Sequence, residues 1–206
     1  MLSNALAKGK DAAELASADA VQMAEQLDAR VLTQTRVEAI EPAARRIQLG
    51  SELLDYSRLV LAVGALPIRL SIAGDGADQV LAVNDLEGYS RFRERLKAVK
   101  RVAIMGPGLI GCEFANDLAA SGRSVSVIGP DSGPLGRLVP PQAAQALQAG
   151  LAAVGIDWHL ETLVERIDRD AEGLRLSLSG GALVEADLVL SAVGLQPDTA
   201  LAAAAG

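Results

Sequence analysis

The chain has 206 residues and a net charge of −7; half of its residues are hydrophobic and only 2% are aromatic. No basic run exceeds the pair Arg45-Arg46, which argues against nucleic acid or an anionic membrane surface as the main partner. The length suffices to bury a real core. With so few rings, that core has to be built from Ala, Val, Leu and Ile, which suits a parallel sheet flanked by helices.

Residues 1–19 show no clear period. Ala20 to Leu27 reads as a helix with Val21, Ala24 and Leu27 on one face. Strand-like pieces follow at Val31-Leu32, at Arg36–Ile40, which alternates, and at Arg46–Leu49, which runs into a turn at Gly50. Leu59 to Val63 is a continuous apolar run, expected to be a buried strand, closed by Gly64-Ala-Leu-Pro67. Gly74-Asp-Gly76 reads as a loop. Asn84 is expected to cap a helix from Asp85 to about Val99, with Glu87 completing a capping box. Arg91, Arg93, Glu94, Arg95 and Lys97 form its solvated face.

The most informative stretch is Arg101–Glu113. Val102 to Met105 has the length of a buried strand. Gly106, Gly108 and Gly111 then give Gly-x-Gly-x-x-Gly, and Ile110, Phe114 and Leu118 recur as a helix that Ser121-Gly122 ends. Strand, glycine turn and helix together form a dinucleotide-binding fingerprint. Gly106 turns the chain, Gly108 lets backbone approach a pyrophosphate, and Gly111 lets the helix pack closely. Pro107 removes one donor, so the helix-start amides of Leu109 and Ile110 are left to meet the phosphates.

Beyond this helix, Ser124–Ile128 alternates as a second strand. Asp131 follows Gly111 at the spacing at which such folds hold the adenosine ribose. It fits that role and equally an ordinary turn at Pro-Asp-Ser-Gly. Arg137 nearby suits a 2′-phosphate, so spacing leaves NAD and NADP both open. Gln142–Val154 reads as an amphipathic helix stopped by Gly155, and Ile156–Leu160 as a strand. Leu163–Arg169, Leu174–Ser179 and Ala182–Glu185 read as a meander, and Asp187–Val193 as a last buried strand closed by Gly194-Leu-Gln-Pro197. Cys112 is the single cysteine, which excludes a disulfide within the chain and any Cys-x-x-Cys motif; it reads as a packed side chain. His159, the single histidine, is expected on a strand and is a poor candidate for a base. No apolar stretch reaches spanning length and no signal-peptide core opens the chain, so a cytoplasmic, non-membrane protein is expected.

The two strand ends repeat each other. Val60-Leu-Ala-Val-Gly-Ala-Leu-Pro67 and Leu190-Ser-Ala-Val-Gly-Leu-Gln-Pro197 share Ala-Val-Gly-x-x-Pro, which suggests two related domains. Small residues such as Ala62, Gly64 and Gly194 let these loops lie close to a bound nucleotide.

Leu59–Pro67, Gly106–Glu113 and Asp187–Pro197 together resemble the flavin-dependent pyridine-nucleotide oxidoreductases with two dinucleotide-binding domains. Gly108–Leu118 and the opening Met1-Leu-Ser-Asn4 look most like the branch of that family that reduces rubredoxin. The resemblance implies an α/β fold. Residues 99–197 would form a Rossmann-like NAD(P)H-binding domain with a parallel sheet and a β-meander. Residues 1–98 would be part of an FAD-binding Rossmann-like domain, and 198–206 the start of a return to it. The implied cofactors are FAD and NAD: NADH would pass a hydride to FAD, which would release electrons singly to rubredoxin or a similar small iron-sulfur carrier. A ferredoxin or a flavorubredoxin as acceptor belongs to the same class. Glu113 matches a family glutamate at the junction of nicotinamide and flavin; a helix-start glutamate stabilised by the dipole is its plain alternative. Val37 matches a position whose backbone touches the FAD adenine.

The departures from the family pattern are equally specific. The glycine motif for FAD and the lysine and proline near the flavin would precede Met1, and a Gly-Asp motif and the interface domain would follow Gly206. An internal piece of a longer enzyme is therefore expected, holding FAD poorly and not turning over. A free-standing, non-catalytic nucleotide-binding module is the competing expectation. The absent Cys-x-x-Cys argues against a thioredoxin-reductase type.

Overall fold

The computed structural model describes residues 5, 6 and 8–206. The opening Met1-Leu-Ser-Asn4 lies outside the described residues. The chain divides into two compact units, one of residues 16–66 and 195–206, the other of residues 1–15 and 67–194.

The smaller unit begins with α1 (Ala20–Leu27), as the sequence period predicts. The Asp19 side chain accepts from the N–H of Gln22, and the Gln22 side chain accepts from the N–H of Asp19, which satisfies two free donors at the helix start. Val21 and Leu27 are nonetheless exposed. An antiparallel meander follows: β1 (Ala39–Glu41), β2 (Arg46–Leu49) and β3 (Glu52–Asp55). Two strand expectations fail here. Val31-Leu32 forms no strand, and the alternation from Arg36 pairs as a strand only from Ala39. In turn, β3 has no sequence signal, because all four of its residues are exposed and no alternation marks it. Gly50 at φ +62° turns the chain between β2 and β3.

The larger correction concerns Leu59–Val63. The segment is in no strand, and Val60 is 86% exposed. A buried strand needs neighbours on both edges, and among the described residues no strand pairs with these five. Pairing begins only at β4 (Ala65–Pro67).

In the larger unit come β5 (Leu81–Ala82) and α2 (Leu86–Leu96). Asp85, not Asn84, caps α2: its Oδ1 accepts from the N–H of Gly88 at 2.6 Å. The helix ends at Leu96, short of Val99. Then follow β6 (Arg101–Met105), α3 (Leu109–Ala120), β7 (Ser124–Ile128), α4 (Pro141–Ala153) and β8 (Ile156–His159). The meander β9 (Val164–Asp170), β10 (Gly173–Leu178) and β11 (Leu183–Ala186) leads into β12 (Leu188–Ser191). The chain then re-enters the smaller unit with β13 (Leu195–Pro197), which pairs with β4, and α5 (Ala200–Ala204).

A five-stranded parallel sheet, ordered β5-β12-β6-β7-β8, centres the larger unit. Its side chains alternate between two cores, as strand geometry requires. Val102, Ile104, Val125, Val127, Leu188 and Leu190 face a core shared with Phe92, Phe114 and Leu118 of α2 and α3. Ala103, Met105, Ile128 and Val189 face a second core, closed by Ile167, Leu174, Leu176 and Val184 of the meander. Phe92 and Phe114 meet edge to face at 5.5 Å, which gives this aromatic-poor interior one specific ring contact. β6 and β12, covered on both faces, read as apolar runs, and β6, β7, β8 and β12 fall at their expected stretches; the two-residue edge strand β5 is not among those expected.

One polar clamp fixes the start of the two central strands. Asp187 accepts from the backbone N–H groups of Lys100 and Arg101 through one oxygen and from the Arg101 guanidinium through the other. Arg101 also meets Glu185 at 2.8 Å. Burial pushes the Asp187 carboxyl upward, but these donors outweigh it and hold the group below the ordinary carboxylate range.

Candidate functional site

The carboxyl end of the parallel sheet opens into a cleft of about 550 Å³, wholly within the larger unit. The glycine turn forms one wall. Gly106 sits at φ +111°, a conformation that disfavours side chains, and a Cβ there would lie 2.6 Å from the carbonyl oxygen of Ala192. A Cβ on Gly111 would overlap the carbonyl oxygen of Gly106, so this turn of α3 closes only over glycine. Gly108 differs. It caps the N-terminus of α3 without a side-chain hydrogen bond, and a Cβ there would meet nothing within 4 Å. That open space belongs to the cleft. The first turn of α3 offers free backbone donors into it, with Leu109 and Ile110 half exposed in its lining.

The adjoining wall comes from the loop after β7, the strand beside β6. Asp131 lines the cleft with its side chain 29% exposed, and Arg137 Nε stands 3.5 Å from its Oδ1. Gly194, with Ala192 and Val193 at the end of β12, completes the floor. The structure therefore gathers Gly106, Gly108, Leu109, Ile110, Asp131 and Gly194 in one cavity, with Gly111 directly behind.

Glu113 is not part of that lining. It lies on α3, partly buried, one turn before Asp117. Burial and, after it, the charge of Glu113 push the Cys112 thiol up to about 11. Buried and holding its proton, Cys112 is a packed side chain, with its Sγ 3.4 Å from the carbonyl oxygen of Pro107. Burial also raises the Asp117 carboxyl, and Glu113 adds to that shift. His159 lies on β8 with Nε2 2.9 Å from Asp157 Oδ2, outside the cleft.

The remaining candidates lie in the smaller unit. Val37 is half-buried just before β1. Ala62 is exposed in the unpaired stretch, and Gly64, at φ +75°, accepts from the N–H of Asp198 at 3.1 Å. None of the three lines the cleft.

Two residues that shape the cleft escape sequence reasoning. Pro107 packs against Gly129, where a Cβ would overlap the proline ring. Thr162 reaches the lining from the loop after β8. A glycine directly after β7 was the available signal for the first; nothing in the local sequence marks the second. Among the described residues no group of acidic, histidine or cysteine side chains could hold a metal ion, and no helix is long and apolar enough to cross a membrane.

The family model described as pyridine nucleotide-disulphide oxidoreductase matches residues 1–206. The chain belongs to this family. Among curated relatives it is 46% identical over 213 residues to a rubredoxin-NAD(+) reductase of Acinetobacter baylyi and 42% identical over 207 residues to one of Alcanivorax borkumensis. A nitric oxide reductase FlRd-NAD(+) reductase of Klebsiella pneumoniae is 35% identical over 205 residues. In each case all of this chain is covered and 54% of the relative, so the chain spans about half the length of these proteins. Among solved structures, a ferredoxin reductase from Rhodopseudomonas palustris superposes with a TM-score of 0.90 at 28% identity, covering 100% of this chain and 51% of that one. The α/β architecture with its parallel sheet and meander is the fold of this family of reductases.

Proposed function

We propose that the cleft binds a nicotinamide dinucleotide, and that the chain is part of an FAD-dependent NADH oxidoreductase that passes electrons from NADH through FAD to rubredoxin. The observation that carries this reading is Gly108: it stands at the N-terminus of a helix, with empty space where a side chain would be, in a cleft that Asp131 also lines. The identity to rubredoxin-NAD(+) reductases, higher than to the flavorubredoxin counterparts, supports rubredoxin or a similar iron-sulfur carrier as the acceptor. A cytoplasmic location and a place in electron transport go with that reading.

The residues present fit a dinucleotide. The backbone N–H groups of Leu109 and Ile110 point a partial positive charge at the position of a pyrophosphate, and Gly108 lets it approach. Ala192, Val193 and Gly194 offer small surfaces against which a flat ring lies. Asp131 accepts from ribose hydroxyls. Glu113, on the helix behind the turn, orients one of the two reacting rings in the complete enzyme. FAD supplies the conversion of a two-electron hydride into single electrons. Val37, Ala62 and Gly64 are this chain's contribution to its binding.

Calorimetric titration with NADH tests the cleft: Gly108→Val should abolish binding, because the branched side chain occupies the pyrophosphate's space, and unchanged affinity would refute the reading. In the full-length enzyme, Glu113→Gln should slow flavin reduction in stopped-flow measurements, while wild-type rates would remove Glu113 from the site.

A further inference from the structure

Two residues beside the cleft hold a backbone conformation that side chains avoid. Among the described residues, five other than glycine have positive φ. Three belong to the smaller unit: Asp28 ends α1, and Gln34 and Arg45 are exposed in turns. The other two, Leu135 at +56° and Glu161 at +55°, lie in the loops after β7 and β8. Gly133 and Gly136 stand close by, yet neither has positive φ; the leucine between them does. A leucine in the left-handed region is strained, and such strain persists only where its surroundings over-determine it.

Each of the two reaches across to a neighbouring loop. The N–H of Leu135 donates to the carbonyl of Pro107, in the glycine turn, at 2.9 Å. The carbonyl of Leu135 accepts from the N–H groups of Leu138 and Val139, and its side chain packs against the core shared with α2 and α3. The N–H of Glu161 donates to the carbonyl of Asp131 at 3.2 Å, and the next N–H, that of Thr162, to the carbonyl of Gly129 at 3.1 Å. The loop after β8 is thereby tied to the loop after β7, and that loop to the glycine turn. Pro107, Gly129, Asp131 and Thr162, on which these ties end, all line the cleft.

We propose that Leu135 and Glu161 are positioning residues for the nucleotide: their left-handed backbones latch the three loops at the spacing the ligand needs. The inference rests on the cleft being a nicotinamide-dinucleotide site. Neither residue lines the cleft, so each acts through the residues it holds. A side chain less tolerant of positive φ lowers the fraction of molecules with the latch made, and the apparent affinity falls by that fraction. Glycine, for which positive φ carries no steric penalty, keeps the latch.

Calorimetry and steady-state kinetics of the full-length enzyme with NADH test this. Leu135→Val keeps an apolar side chain but is β-branched and resists positive φ. It should weaken NADH binding about tenfold and raise KM to match, while the rate at saturating NADH holds. Leu135→Gly loses the packing and keeps the conformation; though less stable, it should bind NADH as wild type does. A residue that only packs gives the opposite order, glycine weak and valine near wild type, and that order would overturn the latch. The Glu161 side chain is exposed, so Glu161→Val against Glu161→Gly repeats the comparison without a packing loss and decides the matter if Leu135→Val does not fold. Arg45→Val sets the baseline, since Arg45 has the same backbone conformation in the other unit. Its NADH affinity should not change, and a loss there equal to that of Leu135→Val would also overturn the latch. A wild-type enzyme that binds no NADH would instead overturn the reading of the cleft, and this inference with it.

Discussion

The two Ala-Val-Gly-x-x-Pro segments share a sequence and differ in structure. Leu188–Ser191, the strand of the second copy, lies between β5 and β6 with Leu190 only 1% exposed. Leu59–Val63, preceding the first copy's glycine, pairs with no strand among the described residues, and Leu61 is 44% exposed. Their final residues then meet: β4 and β13, the x-x-Pro portions of the two copies, pair with each other. An apolar run therefore states a capacity to be buried. Whether it is buried depends on strands elsewhere that supply its edges and on layers that cover its faces.

The sharpest way to break this contrast is to cut the same side chain in both copies. Leu190→Ala removes atoms from the shared core of β12, α2 and α3 and should cost about 2–5 kcal/mol of stability. Leu61→Ala should fall within about 0.5 kcal/mol, as for an exposed surface position. Far-UV circular dichroism in denaturant titrations follows both units, while the fluorescence of Trp158, the single tryptophan, in β8, reports the larger unit that holds Leu190. Equal losses at the two leucines would show that the first copy is buried after all.

A second test uses the polar clamp, for which the first copy has no counterpart among the described hydrogen bonds. Asp187→Ala strands the N–H groups of Lys100 and Arg101 and the Arg101 guanidinium, and should cost about 1–3 kcal/mol near neutral pH. The sign of the pH effect follows from the lowered folded-state pKa. The stabilisation from Asp187 is fully present above its unfolded value near 4 and is lost as pH falls through the lower folded value. The variant should therefore lie closest to wild type at the acid end and farthest from it at neutral pH. A difference that stays constant down to pH 2 would assign the loss to packing rather than to the charge.

The centre of the parallel sheet was legible because burial on both faces leaves apolar runs at Val102–Met105 and Asp187–Val193 that can be read without knowing their neighbours, whereas the two-residue edge strand β5 leaves no such run. The same reasoning misread Leu59–Val63, whose apolar run carries no record of whether neighbours exist. It also passed over β3, a strand with no buried face to impose alternation. The glycine turn was legible residue by residue, since Gly106 and Gly111 answer to steric contacts one element away and Gly108 to empty space. Pro107 against Gly129 was not, because the two are brought together only when β6 and β7 pair. Asp131 stood in the sequence as either a turn residue or a ribose ligand, and the structure puts it in the cleft wall with Arg137.

The smallest effect concerns the one feature the two copies keep in common. Gly64 and Gly194 both hold positive φ, +75° and +121°, and neither is short of room: a Cβ on Gly64 meets nothing within 4 Å, and one on Gly194 meets only Ile68 Cδ1, at 3.5 Å. Their cost in substitution is therefore conformational rather than steric. Gly64 is nearer the left-handed well that an L-residue tolerates, so Gly64→Ala should cost about 1 kcal/mol. Gly194 lies farther into glycine-favoured territory, and Gly194→Ala should cost about 1–3 kcal/mol. Gly194 also lines the cleft, so its variant should weaken NADH binding where the Gly64 variant does not. Denaturation followed by far-UV circular dichroism gives the first comparison and calorimetry the second. If the two alanine variants match in both, the repeated glycine serves only to turn the chain, and the second copy owes its place in the cleft to Ala192 and Val193 alone.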